Sequence, residues 1–171
     1  MSKNELEKIW KSDITLSYRD RMDSIRDFLV ENADGENIIG DGKSVEYAPS
    51  LWEYKHSFAE DMYIREMRMK KGQMGMSVIQ KRSYPFFLLT GKLAVTTETD
   101  VEEFVAPVYF ISSTGGTQRI VYAIEDCIIV TIHQNPMNTK KLEELEKYLY
   151  AFTWEEYDEF ANKTKKNEKN K

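Results

Sequence analysis

Histidine and cysteine, the side chains on which many metal centres and nucleophilic sites depend, are scarce in this sequence. The chain of 171 residues has two histidines and one cysteine. A single cysteine, Cys127, has no partner for an internal disulfide, which is typical of proteins in a reducing cytoplasm. Cys127 opens the apolar run Cys-Ile-Ile-Val. We therefore expect a buried strand cysteine, because a reactive thiolate needs an accessible, electropositive setting.

Long hydrophobic runs and an excess of basic residues are also missing. No apolar stretch approaches the roughly 20 residues that a membrane-spanning helix needs. Residues 1–12 are polar and charged, without the apolar segment of an export signal. The formal net charge is −5, whereas a general nucleic-acid binder needs a basic face to neutralise phosphates. We therefore expect a cytoplasmic protein that binds neither membranes nor nucleic acid.

Short segments separated by turn residues dominate the middle of the chain, from about residue 54 to residue 133. Along residues 62–69, Tyr63, Arg65, Met67 and Met69 alternate with residues of the other face, which is the period of a β-strand. Further strands are predicted at 74–80, at 85–97 with a break at Gly91, at 101–112 with a break at Pro107, at 118–123 and at 127–133. Many short strands at regular spacing favour a β-sandwich or a closed barrel.

Helical patterns flank this β-rich body. Before it, Tyr18, Met22, Ile25 and Leu29 recur at helical spacing, and this stripe must pack against the barrel or against a second subunit. After it, one helix is predicted to start at Asn138 or Thr139 and to run to residue 150. A second is predicted after Thr153, which with Glu156 forms a capping box. The aromatic stripe of this last helix, either core or a dimer contact, consists of Trp154, Tyr157 and Phe160.

The predicted organisation has four parts. Residues 1–51 form a helical and irregular extension, which includes a loop at Gly40-Asp41-Gly42, and residues 52–135 form the β-barrel. Residues 136–162 form the C-terminal helices. Residues 163–171, rich in Lys and Asn, are predicted to be a disordered, solvated tail, with an interaction arm as the alternative.

Three segments carry a resemblance to a known family. They are HSFAEDMYIREMRMKKG, MGMSVIQKRSYPFFLLTGKLAV and APVYFISSTGGTQRIVYAIEDCIIVTIH, which together extend from His56 to His133. This region resembles an RmlC-like cupin, and within that superfamily the small cupin-type proteins of bacteriophages. The first cupin motif then runs from Gly75 to Gly91, and the second is centred on Gly115. The resemblance implies a mainly β fold, a cupin-type jelly-roll barrel over about 54–133 with helices at both termini.

The sequence departs from cupins that bind a metal. Where the resemblance implies metal-binding histidines, this chain has Gln80, Tyr84 and Gln118. Neutral amides are poorer ligands for zinc, iron or manganese than imidazole or carboxylate. A triad of two histidines and a carboxylate would have to draw His56 and His133 from opposite ends of the barrel region. We therefore expect no metal and no cofactor, and we interpret His133 as a hydrogen-bonded barrel histidine.

Two kinds of enzyme site can be compared with the residues present. A cupin-type sugar epimerase, as the resemblance would imply, uses a histidine base opposite a tyrosine acid. His56 or His133 could be paired in this way with one of three tyrosines. These tyrosines are Tyr84, Tyr109 and Tyr122. A hydrolase with paired carboxylates has no support, because Glu102-Glu103 and Glu125-Asp126 are interpreted as solvated charges at turns.

Polar side chains could line the mouth of the barrel. Arginine forks suit carboxylate and phosphate groups, so this set could hydrogen-bond a small anionic or polar ligand. The candidate residues are Arg65, Gln80, Arg82, Tyr84, Gln118, Arg119, Tyr122 and His133.

Two functions stay open from the sequence. The first is a non-catalytic, metal-free structural or interaction protein, encoded by a phage and working in the virion or the host cytoplasm. It would be a homo-oligomer that can also dock a protein partner, since abundant Tyr and Met suit contact surfaces. The second is a small-ligand binding protein, or a metal-independent sugar isomerase, that uses the barrel pocket. Fold alone does not decide between them.

Overall fold

The protein is described by a computed structural model that covers most of the chain. The described residues are 3–11, 15–38, 52–112 and 115–169. The predicted loop at Gly40-Asp41-Gly42 and the first half of the predicted turn at Ser113-Thr114-Gly115-Gly116 lie outside them.

Two antiparallel sheets form the body of the described chain. Their strands are β1 Glu53–Ala59, β2 Met62–Met69, β3 Met74–Met76, β5 Tyr84–Thr90, β6 Lys92–Thr96, β7 Val101–Val105, β8 Val108–Ser112, β9 Ile120–Ala123 and β10 Cys127–Gln134. The first sheet has the strand order β1-β2-β10-β5-β8, and the second has the order β3-β9-β6-β7. A separate two-stranded ribbon pairs β4 (Ile79–Gln80) with β11 (Tyr150–Ala151).

The chain winds between the two sheets as in a jelly roll. It leaves the first sheet after β5, returns at β8, crosses again to β9 and ends in the first sheet at β10. Consecutive strands that belong to different sheets therefore face each other across the core, with a hydrophobic layer between the sheets. The predicted fold class, mainly β with a jelly-roll barrel and helices at both ends, is confirmed.

Local sequence accounts for most strand boundaries. The alternation in β2 places Tyr63, Met67 and Met69 in buried positions. The strand predicted at 85–97 is two strands, β5 and β6, which belong to different sheets. The chain turns between them at Gly91, which adopts a positive φ of 81° and where a Cβ would overlap the Asp126 carbonyl. The strand predicted at 74–80 is wrong as one unit, since β3 pairs with β9 whereas β4 leaves the sheet to pair with β11.

The N-terminal helices cover the outer face of the second sheet. They are α1 (Lys3–Lys11) and α2 (Tyr18–Glu31), and Ser17 caps α2 by accepting a hydrogen bond from the Asp20 amide. Apolar side chains of both helices form one buried cluster with side chains of β3 and β9. The members from these four elements are Leu6, Trp10, Met22, Ile25, Leu29, Met74 and Ile120. The apolar stripe of α2 therefore packs against the barrel and not against a second subunit.

The C-terminal helices are α3 (Leu142–Leu149) and α4 (Trp154–Lys169). Leu145 and Leu149 pack with Tyr63 and Tyr150, so α3 lies against one end of the barrel. The cap predicted for α3 is wrong: the helix begins after Lys141, which makes no side-chain cap bond, while Asn138 takes a positive φ of 47° in the preceding turn.

Helix α4 differs from prediction at its end. Trp154 is 9% exposed and joins the cluster under α1 and α2, so the aromatic stripe is core at its start. The helix continues to Lys169, whereas residues 163–171 were predicted to be disordered. Lysine and glutamate propagate a helix well, and Lys163 lies 3.8 Å from Glu159 one turn earlier. Among the described residues, no helix is both long and apolar enough to cross a membrane.

Candidate functional site

A cavity of about 670 Å³ lies between the two sheets of the barrel. Its size is in the range of small-molecule sites, which are commonly apolar with a few convergent polar groups. Most of its wall is carbon. The apolar lining residues are Trp52, Tyr54, Met67, Met76, Val78, Phe86, Val95, Phe104, Phe110, Ile111, Val121 and Ile129.

Strand alternation explains why these side chains meet. In the first sheet Met67 is the register partner of Ile129, and in the second Val95 is the partner of Val121. Directly opposed residues of an antiparallel pair lie on the same face, so all four point into the space between the sheets.

Arg65 places a positive charge in this cavity. It occupies the inward face of β2, where its register partner on β10 is Thr131, and both line the cavity. Its guanidinium lies 5.7 Å from the Tyr54 ring and 5.6 Å from the Tyr150 ring. Among the described residues, no carboxylate lies within 4.0 Å of it. An arginine stays protonated in proteins, so the cavity wall carries a cation with no ion-pair partner within 4.0 Å in the described chain. Arg65 also lines a smaller cavity of about 40 Å³, together with Glu146.

A second arginine lines the cavity as half of an ion pair. Arg119 lies 2.9 Å from Glu98, and its Nη1 atom is buried without a hydrogen-bond partner. The backbone carbonyl of Glu98 accepts a hydrogen bond of 2.8 Å from Arg21 of helix α2. The pair is therefore tied to the N-terminal helices as well as to the barrel.

The exposed lining residues mark the mouth of the cavity. They are Glu98, Glu102 and Ile111. Glu98 follows β6, Glu102 lies on β7 and Ile111 lies on β8, and β7 and β8 are the terminal strands of their sheets. The mouth therefore opens where the two sheets part, and its polar rim is acidic.

Four of the eight candidate residues predicted from the sequence line this cavity. They are Arg65, Gln80, Tyr84 and Arg119. Gln80 and Tyr84 are 3% and 9% exposed, and burial raises the pKa of the Tyr84 phenol although Arg65 opposes the shift. Tyr84 is therefore a neutral hydrogen-bonding group at ordinary pH.

The other four candidates lie elsewhere. Arg82 packs on the outside, with its guanidinium 4.3 Å from the Tyr148 ring and 5.1 Å from the Phe160 ring. The Gln118 backbone is bound to the Tyr18 hydroxyl, through its amide and its carbonyl. Tyr122 faces the helices on the outside of the second sheet.

His133, the fourth of these, is buried behind the cavity wall. It is 4% exposed, and its Nε2 lies 2.9 Å from the Thr131 hydroxyl. Its ring stacks on Tyr84 with centroids 4.9 Å apart. Burial, with the nearby charge of Arg65, holds the pKa of His133 well below its ordinary value of 6.5. It is a neutral, hydrogen-bonded barrel histidine, as interpreted from the sequence.

The histidine and tyrosine pairs predicted for an epimerase are not arranged as an acid and a base across the cavity. Of the predicted pairs, His133 and Tyr84 do meet, but they stack and only Tyr84 lines the cavity. His56 instead bonds to the hydroxyl of Tyr63, at 2.7 Å from its Nδ1. Tyr109 is 68% exposed on the outside of the barrel. No predicted pair places a histidine and a tyrosine on opposite sides of the cavity.

The residues at the expected metal positions do not fit a divalent cation. Gln80 offers an amide and Tyr84 a protonated phenol, while the Arg65 guanidinium shares their cavity and repels cations. Within the described ranges, no three His, Cys, Asp or Glu side chains are grouped so that they could hold a metal ion.

Sequence reasoning missed the acidic rim and part of the aromatic wall. Glu102 and Glu103 were interpreted as turn residues, which is wrong, because both lie within β7. Glu102 could have been predicted to face the cavity, because Phe104 lies two residues away and therefore on the same face of the strand. Thr131 likewise shares a face of β10 with Ile129 and His133. Nothing in the local sequence indicates that Trp52 lines the cavity.

Comparisons with known proteins give similarity at the level of solved structures. No protein-family model matches the chain, and no curated protein does. A cupin-2 domain protein from Shewanella frigidimarina is similar over 49% of this chain and 81% of its own, with 14% identity and a TM-score of 0.42. The cupin_2 domain of an XRE family transcriptional regulator from Enterobacter cloacae covers 49% and 97%, with 10% identity and a TM-score of 0.43.

Ectoine synthase from P. lautus is similar over 56% of this chain and 72% of its own, with 10% identity and a TM-score of 0.45. At these identities and TM-scores, the similarities carry no inference about ligand or activity.

Proposed function

We propose that this protein binds a small organic anion inside the barrel. The observation that carries the proposal is Arg65, a guanidinium on the cavity wall with no carboxylate within ion-pair distance in the described chain. Removing a charge from water is unfavourable unless a partner compensates. A carboxylate ligand would supply that partner through a bidentate hydrogen bond, which the planar guanidinium matches in geometry.

The cavity wall supports an anion with a carbon body. Phe86, Phe110 and Phe104 stack in sequence, with centroid distances of 4.6 and 4.8 Å. Burying a ligand's methylene groups on such a surface contributes about 0.8 kcal/mol for each group. A simple inorganic anion would leave most of this surface without contact, so the favoured class is organic acids.

Titration calorimetry with carboxylates of graded length tests this proposal. We expect a subset of the alkanoates from pentanoate to nonanoate to bind in a 1:1 ratio. Arg65→Gln should weaken that binding about tenfold to a hundredfold, since a hydrogen bond to a charged group contributes about 1.5–3 kcal/mol. Arg68→Gln is the matched control, because Arg68 is on the same strand but points outwards and pairs with Glu66.

Binding that is unchanged in Arg65→Gln, or lost equally in Arg68→Gln, would contradict the assignment to the cavity. Circular dichroism of both variants checks that they are folded.

A second candidate, self-association, is favoured by an apolar patch on the outer face of the first sheet. Leu89 and Tyr109 are 49% and 68% exposed. Ile111, which is 55% exposed, lies on the same face of the edge strand β8, where this face meets the cavity mouth. Tyr109 is the register partner of Phe87, and their rings stack at 5.8 Å. Contiguous exposed apolar surface on a sheet commonly marks an interface, and we propose a second copy of this chain as its occupant.

Light scattering after gel filtration tests self-association. The wild-type protein should have the mass of an oligomer, and Tyr109→Lys should shift it to the monomer. Met137→Lys, at an apolar residue that is 50% exposed in the loop between β10 and α3, should leave the mass unchanged. A monomeric wild type would contradict this candidate. The phage origin and the virion or host role stay predictions.

A further inference from the structure

The cavity lining carries one cation and one anion that lack partners of opposite charge among the described residues. We propose that the ligand is a zwitterion, with its carboxylate at Arg65 and an ammonium group at Glu102. This inference rests on the proposed binding function and specifies the ligand class for the same cavity.

Glu102 is the anionic end of this arrangement. It is the register partner of Val95 on β6, and both line the cavity. Among the described residues, no Lys, Arg or His nitrogen lies within 4.0 Å of its carboxylate. The neighbouring acidic side chains differ: Glu103, on the opposite face of β7, pairs with Lys92, and Glu98 pairs with Arg119.

An aromatic column connects the two charges. It starts at Phe86, whose register partner Thr131 is in turn the partner of Arg65. It continues through Phe110 to Phe104, which is two residues from Glu102 on the same face of β7. The charged groups therefore lie at the two ends of an apolar wall that reaches from one sheet to the other.

The fold also limits the length of such a ligand. Arg65 lies on β2 of the first sheet, and Glu102 lies on β7, the terminal strand of the second sheet. The two residues are therefore offset along the sheets as well as separated by the spacing of about 10 Å between facing sheets. An ammonium group separated from a carboxylate by several methylene groups suits this span. A compact α-amino acid, which carries both charged groups on one carbon atom, does not.

The two ends should contribute unequally. Arg65 lies inside the barrel, where a charge pair is poorly screened, whereas Glu102 is exposed at the mouth. An exposed ion pair is weakened by water and salt, so the ammonium group should improve affinity by up to about fivefold. Glu102 would then select among organic acids that Arg65 already binds.

Calorimetry with two matched ligand series tests this inference. One series is the ω-amino carboxylates from 4-aminobutyrate to 8-aminooctanoate. The other is the alkanoates from pentanoate to nonanoate, in which a methyl group replaces each ammonium group. At one or two lengths we expect the amino compound to bind more tightly, by up to about fivefold. That advantage should vanish in Glu102→Gln and persist in Glu103→Gln.

The outcomes separate this inference from the proposed function. If the alkanoates bind at least as tightly at every length, or if Glu102→Gln keeps the preference, the zwitterionic ligand is refuted while organic-acid binding stands. If neither series binds the folded wild-type protein, organic-acid binding itself is refuted. Raising the salt concentration should reduce the advantage of the amino series, because Glu102 is at the surface.

Discussion

Replacing Arg65 with methionine should stabilise the ligand-free protein while weakening ligand binding. The guanidinium lies on the cavity wall with no carboxylate within ion-pair distance in the described chain, and methionine fills similar space without a charge. Replacing buried ionic groups by apolar ones is often neutral or stabilising by about 1–4 kcal/mol. A charged residue that serves to bind a ligand should lower the stability of the ligand-free protein while increasing its affinity for the ligand.

The magnitude follows from what Arg65 now contacts. Its two ring contacts, with Tyr54 and Tyr150, each contribute about 0.5–1 kcal/mol, and the residue as a whole is half-buried rather than fully buried. These terms offset most of the gain. We therefore expect an increase in the free energy of unfolding of about 1 kcal/mol, which corresponds to a rise in Tm of about 2–4 °C for a chain of this length.

Urea and thermal denaturation of the ligand-free protein measure this effect. Arg68→Met is the control, because Arg68 is 47% exposed on the outer face of the same strand. Its replacement should change stability by about 0.5 kcal/mol or less. If Arg65→Met is less stable than wild type by more than this control, Arg65 has a structural role and the reasoning is refuted.

Three further predictions concern residues around the cavity. The pKa of His133 in the folded protein lies well below 6.5, so as the pH falls the unfolded chain binds a proton at this histidine before the folded protein does. The free energy of unfolding should therefore be largest above about pH 6.5 and lower by about 1 kcal/mol at about pH 5.5. In His133→Phe this decrease should be smaller. Gly75→Ala should reduce stability by about 1–3 kcal/mol and shift tryptophan emission, because a Cβ at Gly75 would overlap the Trp52 ring; unchanged emission would contradict that packing. Burial raises the pKa of Cys127 to about 11, so a disulfide reagent should react with it only after unfolding, and rapid reaction with the folded protein would show the thiol to be accessible.

The positions that could be predicted from the sequence lie on strands with one polar and one apolar face. In β2 the period of two assigned Arg65 to the same side as Met67, and that side is the barrel interior. In β9 both faces are apolar, since one lines the cavity and the other meets the helices. Alternation therefore could not tell which of Val121 and Tyr122 faces inwards, and Tyr122 was assigned wrongly.

The remaining errors come from pairings between distant parts of the chain. Between Ile79 and Tyr84 the chain changes partner, from β11 to β8 and β10, so the alternation that would relate Gln80, Arg82 and Tyr84 is interrupted. Arg82 consequently meets aromatic rings of the C-terminal helices. Glu102 faces the cavity because β7 pairs with β6 in one particular register, which local sequence does not specify.

The most direct test of the account is an NMR measurement of contacts between the protein and a bound carboxylate. Intermolecular nuclear Overhauser effects would be recorded with the tightest-binding alkanoate. We predict contacts from its methylene protons to Ile129 and Phe110, and from the protons nearest its carboxylate to the Arg65 side chain. Contacts confined to Tyr109 and Phe87 on the outer face, or none at a saturating ligand concentration, would contradict binding inside the barrel.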